Sequence, residues 1–200
     1  MKMKKIMVAS AAFIMILGLL VVVPVQAQVT FDSWVGKWFK GAEKNKGVFV
    51  DDSGTEKAVE KLPSYATVKC YDDSTDTFLT TMIQLQNGNW VPTQFVAQVL
   101  NNNPLDYVSY ALVPSGIVPE IEALLVVLSI TGQAKDGDLV KGKVQTVGGA
   151  VIYNTGVGNY FATSESLKFK MFPQDKVPDD VIAACGALCT PSLPPCVPGP

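Results

Sequence analysis

The chain has 200 residues, with 16 lysines against 18 Asp and Glu and neither arginine nor histidine. The lack of histidine removes the usual base of Ser and Cys hydrolases and the usual nitrogen ligand of zinc, copper and haem iron. An acidic chain without arginine lacks the planar cationic forks and clustered positive charge that phosphate backbones demand, so we expect a non-enzyme with no cofactor, no resident metal and no nucleic-acid partner.

Residues 1–27 have the form of a secretory signal. A basic start (MKMKK) precedes the apolar run Ile6–Val23, and Pro24-Val25-Gln26-Ala27 places small residues at −3 and −1 of a cut after Ala27. The run is at the lower limit for a membrane span, so an uncleaved anchor is the alternative. Cleavage would leave a secreted or periplasmic protein with no integral span, and removing Lys2, Lys4 and Lys5 takes the net charge from −2 to about −5.

Residues 28–172 read as strands and turns. Trp34–Glu43 and Gly47–Asp51 are runs with aromatic or β-branched residues, separated by a turn at KNKG (44–47). A polar turn follows at Asp51–Lys57, then a strand at Ser64–Tyr71, a turn at Asp72–Asp76 and a strand at Thr77–Leu85. Asn87-Gly88 is a strong hairpin signal, because both residues accept the positive φ of a tight turn. Trp90–Leu100 and Leu105–Val113 are strands on either side of the break at Asn101–Pro104. Glu120–Ile130 has a helix-like first half, but Val126-Val127-Leu128 prefers a strand, and we assign Leu124–Thr131 to one. Asp136-Gly137 marks another turn. Leu139–Val147, the segment GGAVIYN and Tyr160–Phe172 complete eight to ten strands. Nothing shows a sustained helical period or strand–helix alternation, so the chain is all-β. Sequential hairpins point to an antiparallel up-and-down barrel, with a sandwich as the alternative.

The composition changes at Pro173. Residues 173–200 are rich in Pro and Cys, with a short helix expected from Asp179 or Asp180 to Ala184. An exported chain favours paired cysteines. Among Cys70, Cys185, Cys189 and Cys196, one tail cysteine is expected to reach Cys70 while the other two pair locally.

Gly36-Lys37-Trp38 resembles the Gly-x-Trp motif that opens the first strand of lipocalin and wider calycin barrels. The resemblance implies a closed barrel with Trp38 across its bottom, covered by a basic side chain from the last strand. In this chain that role would fall to Lys168 or Lys170. The second lipocalin signature is not evident; the nearest letters are Leu105-Asp106-Tyr107.

Two roles follow. A barrel interior that binds a small hydrophobic ligand would draw on Trp38, Tyr65, Phe78, Met82, Trp90 and Tyr107, since pockets want aromatic walls with few polar anchors. The same side chains also suit a solid core. The other role is a structural or interaction subunit of the cell envelope or surface, working by self-association. Two further features have surface readings. Asp51-Asp52-Ser53 and Asp72-Asp73 with Asp76 offer hard oxygen ligands of the kind calcium takes, or simply cap their own turns. Lys141 and Lys143, with Lys168 and Lys170, form a four-lysine patch if their strands are neighbours.

Overall fold

A computed structural model of the chain describes residues 28–51, 54–114, 121–153 and 159–196. The expected signal segment, Asp52, Ser53 and the last four residues lie outside the described residues.

Eight strands follow one another: β1 (Trp38–Asp51), β2 (Gly54–Asp72), β3 (Thr77–Gln86), β4 (Asn89–Val99), β5 (Asp106–Pro114), β6 (Ile121–Lys135), β7 (Asp138–Tyr153) and β8 (Asn159–Phe172). Each pairs antiparallel with the next, and β8 returns to β1, closing an up-and-down barrel as expected for the fold class. Two of the hairpin signals hold. Asn87 and Gly88 have φ of 49° and 81°, and Asp136 and Gly137 have 54° and 86°. These are the paired positive angles that match a turn to the right-handed twist of its strands.

Several boundaries differ from expectation. β2 begins at Gly54, ten residues before the strand expected at Ser64 and inside the turn expected at Asp51–Lys57, because the whole segment pairs with β1. KNKG does not turn: residues 44–47 run on in β1, paired with β2 from Lys44↔Lys61 to Gly47↔Ala58. A single glycine among lysines lacks the paired positive φ of a tight turn, and ladders on both sides hold the segment extended. Trp34 and Val35 precede the first strand. Phe31–Trp34 form a 3-10 turn, and Gly36, at φ +75°, leads into β1. The two pieces expected around Gly148-Gly149 are one strand, because glycine there lets a neighbour come close. A Cβ at Gly149 would stand 2.7 Å from the Leu125 carbonyl oxygen.

The tail folds onto the outer wall. It contributes one helix, α1 (Asp179–Cys185), one residue longer than expected. Both disulfides follow the expected scheme: Cys70–Cys196 and Cys185–Cys189. A β-bulge makes the first possible. Leu62, Ser64, Ala66 and Val68 alternate on the inner face of β2. The register with β3 then shifts between Val68 and Cys70. The extra residue reverses the parity, so Cys70 faces outward beside Leu79 while Tyr71 faces inward beside Phe78.

Two apolar clusters result. The inner one fills the barrel around Trp34, Phe39, Phe78, Met82 and Tyr107. The outer one joins the wall residues Trp38, Tyr65 and Ile83 to Val177, Val181, Cys185 and Cys189 of the tail. Burying side chains of this size contributes about 1.5–3 kcal/mol each, so the tail is a second core layer.

Candidate functional site

The barrel interior is built on the alternation of β1. Phe39, Gly41 and Glu43 face inward, so Trp38 and Lys40 face out. Phe39 stacks on Trp34, with ring centroids 6.0 Å apart and planes 13° from parallel. The 3-10 turn carries Phe31 and Trp34 across the barrel end. Trp34 is 1% exposed, and its indole N–H donates to the Pro104 carbonyl at 2.8 Å. Two glycines make room for the indole: a Cβ at Gly132 or Gly142 would come within 3.0 or 2.8 Å of its ring. Phe31 completes the floor, 5.2 Å from both the Tyr71 and the Tyr107 rings.

Above this floor lies a cavity of about 70 Å³, walled mainly by Phe39, Phe78, Met82, Phe95, Tyr107 and Phe169. Its size is roughly half that of an engineered apolar cavity known to admit benzene. The next layer away from the floor is polar. The Gln84 amide donates to the Glu43 carboxylate, and Ser64 lies on the strand between them. The small serine side chain lets the longer two meet across one strand. Leu167, which lines the cavity, sits opposite Glu43 in the register.

Two buried phenols stand near the floor. Tyr71 donates to the Asp76 carboxylate at 2.9 Å. Burial, then that hydrogen bond and the charge of Asp76, hold its pKa well above the ordinary tyrosine range. Tyr107 is also held well above that range, by burial first and the neighbouring Tyr71 second. Its hydroxyl has no hydrogen-bond partner among the described residues, although the side chain is only 4% exposed.

The candidate ligand residues divide cleanly. Phe78, Met82 and Tyr107 line the cavity, as Phe95 does. Trp38, Tyr65 and Trp90 lie on the outer wall under or beside the tail. The Tyr65 ring packs 5.6 Å from Trp90 and 5.9 Å from Phe172, and Lys40 lies over Tyr65 and Phe172 at 5.5 and 5.1 Å. The Trp90 indole donates to Asp180 at 2.9 Å. The floor position expected of Trp38 therefore belongs to Trp34, and Lys168 and Lys170 stay exposed on the outer face. Sequence reasoning missed Trp34, the buried lining hydroxyl of Ser109 and the Glu43–Gln84 pair. The adjacent Trp38-Phe39 was the available signal, since alternation sends one inward and the other outward, but two aromatics leave the choice open.

The surface features also resolve. Lys143 sits directly opposite Lys170, and Lys168 opposite Gln145, so the four lysines are neighbours; Lys40 faces Lys170 from the other side. In the turn after β2, Asp72 accepts from the backbone and hydroxyl of Ser74 at 3.0 and 2.6 Å. The hydroxyl bond leads in holding its carboxyl below the usual range. Of the first acidic turn, Asp52 and Ser53 are outside the described residues. Among the described residues, no group of three or more His, Cys, Asp or Glu is placed to hold a metal ion, and no helix is long and apolar enough to cross a membrane.

Comparison with protein-family models, with curated proteins and with solved structures gives no match.

Proposed function

We propose that this chain is an exported, non-enzymatic β-barrel protein that holds a small apolar ligand in the barrel interior. The observation that carries the reading is the apolar cavity above the Trp34 floor, with a polar layer at its far side. Such concave apolar sites with few polar groups are the usual form of small-molecule pockets. Two disulfides support an oxidising compartment, and with the basic–apolar form of residues 1–27 they support export. A calycin-like, and more narrowly lipocalin-like, reading draws on the closed eight-stranded barrel and the Gly36-x-Trp38 letters, with Trp34 in the floor position.

The test uses xenon as an apolar guest. In xenon NMR of the purified chain, a bound environment should appear and should be lost in Ala97→Leu, which adds a branched side chain to the cavity wall. Absence of a bound signal in the wild-type chain would remove the ligand reading.

A second reading, as an interaction subunit, is favoured by one observation. Tyr110, Leu112 and Leu125 lie exposed on the outer wall of β5 and β6, with Leu112 directly opposite Leu125. Exposed apolar patches mark contact surfaces when they are contiguous. Sedimentation of the wild-type chain against Leu112→Lys tests it: self-association that the lysine abolishes supports the reading, and a monomer in both rules out self-association.

A further inference from the structure

The cavity is apolar except for a few hydroxyls, and two of these lie on one strand. Tyr107 and Ser109 are two residues apart on β5, both face inward, and both line the cavity. Tyr107 is 4% exposed and Ser109 2%. The Tyr107 ring is fixed on three sides, at 5.2 Å from Phe31, 5.6 Å from Trp34 and 5.9 Å from Phe78. Its hydroxyl is nevertheless without a partner among the described residues, in contrast to Tyr71, whose hydroxyl is anchored on Asp76. A buried hydroxyl left unpaired carries the full cost of its desolvation, and phenylalanine would fill the same space without that cost. Tyrosine at this position is thus unexplained by packing.

We infer that the Tyr107 hydroxyl is the polar anchor of the ligand site, donating a hydrogen bond to a neutral oxygen acceptor, a ketone, ester or ether, on a small apolar molecule. This rests on the ligand-binding reading and names the ligand class within it. The phenol stays protonated, and so remains a donor, through neutral and mildly alkaline pH. A carboxylate head is disfavoured. None of the described residues that line the cavity is a cation that could pair with it. Met82, with an unbranched and adaptable thioether chain, gives the cavity room to grow around a guest.

The probes are cyclopentane, cyclopentanone and cyclopentanecarboxylate, which share a ring and differ in the polar group. Binding is measured on the purified chain and on Tyr107→Phe. The affinity of cyclopentanone relative to cyclopentane should fall about five-fold or more in Y107F, as loss of one hydrogen bond predicts, while that of cyclopentane stays within about two-fold. The carboxylate should bind most weakly. The infrared carbonyl stretch of bound cyclopentanone should move to lower wavenumber in the wild-type chain but not in Y107F. An unchanged affinity ratio, or tighter binding of the carboxylate, would overturn the anchor while leaving the ligand reading intact. Failure of all three probes to bind would remove the ligand reading and the anchor with it. If Y107F does not fold, the carbonyl stretch in the wild-type chain decides: a value matching that in hydrocarbon solvent overturns the proposal.

Discussion

At the scale of single residues, the floor of the barrel is organised around groups that only one residue type suits. Tyr107→Phe removes a hydroxyl that has no hydrogen-bond partner among the described residues, so the variant should be as stable as the wild type or more so in urea unfolding. A loss of 1 kcal/mol or more would mean that the hydroxyl is bonded within the protein. Tyr71 and Tyr107 also set the alkaline limit. Both keep their protons well above the ordinary tyrosine value of about 10. Below that pH both states are protonated and the two phenols contribute no slope. Above it, the unfolded chain releases protons that the folded chain retains, so stability falls as pH rises. The urea midpoint should therefore drop more steeply above about pH 10 in the wild-type chain than in the Y71F/Y107F double variant. Gly41 is the most tightly enclosed of the described glycines. A Cβ there would overlap the Lys168 carbonyl on β8. Gly41→Ala should cost about 1–3 kcal/mol in the same assay, because the clash is with backbone of a paired strand.

At the scale of elements, the tail is a clamp on the outer wall. The Thr81 hydroxyl and the Gln94 amide both donate to the Leu188 carbonyl, at 2.7 and 3.1 Å, and the Ser192 amide donates to Lys69 at 2.9 Å. Cys70–Cys196 closes a separation of 126 residues and Cys185–Cys189 one of 4. Chain-entropy arguments weight the longer loop more heavily. A Cys70→Ser/Cys196→Ser double variant should lose about 2–4 kcal/mol by urea unfolding and the Cys185/Cys189 pair a smaller amount, about 2 kcal/mol or less. The reverse order would contradict the clamp. The legibility of these elements varied for physical reasons. Asn87-Gly88 and Asp136-Gly137 were readable because turn chemistry is local. The disulfide scheme was readable because three of the four cysteines crowd the tail. The inward or outward sense of Trp38 was not, since it depends on where β1 begins, and a 3-10 turn rather than a strand occupies Phe31–Trp34. The bulge that turns Cys70 outward had no glycine to announce it. The outer cluster was invisible for a related reason: Trp38, Tyr65 and Trp90 look like interior residues until the tail is seen to cover them.

At the scale of the whole molecule, one closed sheet separates two apolar environments, an inner one with a residual cavity and an outer one sealed by the tail. The three tryptophans report on them separately. Trp34 floors the cavity, Trp38 is buried beneath the tail, and Trp90 bonds Asp180 on α1. Ala97→Leu should fill the cavity and leave the outer cluster untouched, because Ala97 is an inward residue of β4. The most direct measurement follows the three indole N–H resonances while cyclopentanone is added. The Trp34 resonance should shift in a saturable way, those of Trp38 and Trp90 should stay in place, and Ala97→Leu should abolish the shift. A saturable shift confined to Trp38 or Trp90, or none at all, would contradict a ligand site inside the barrel.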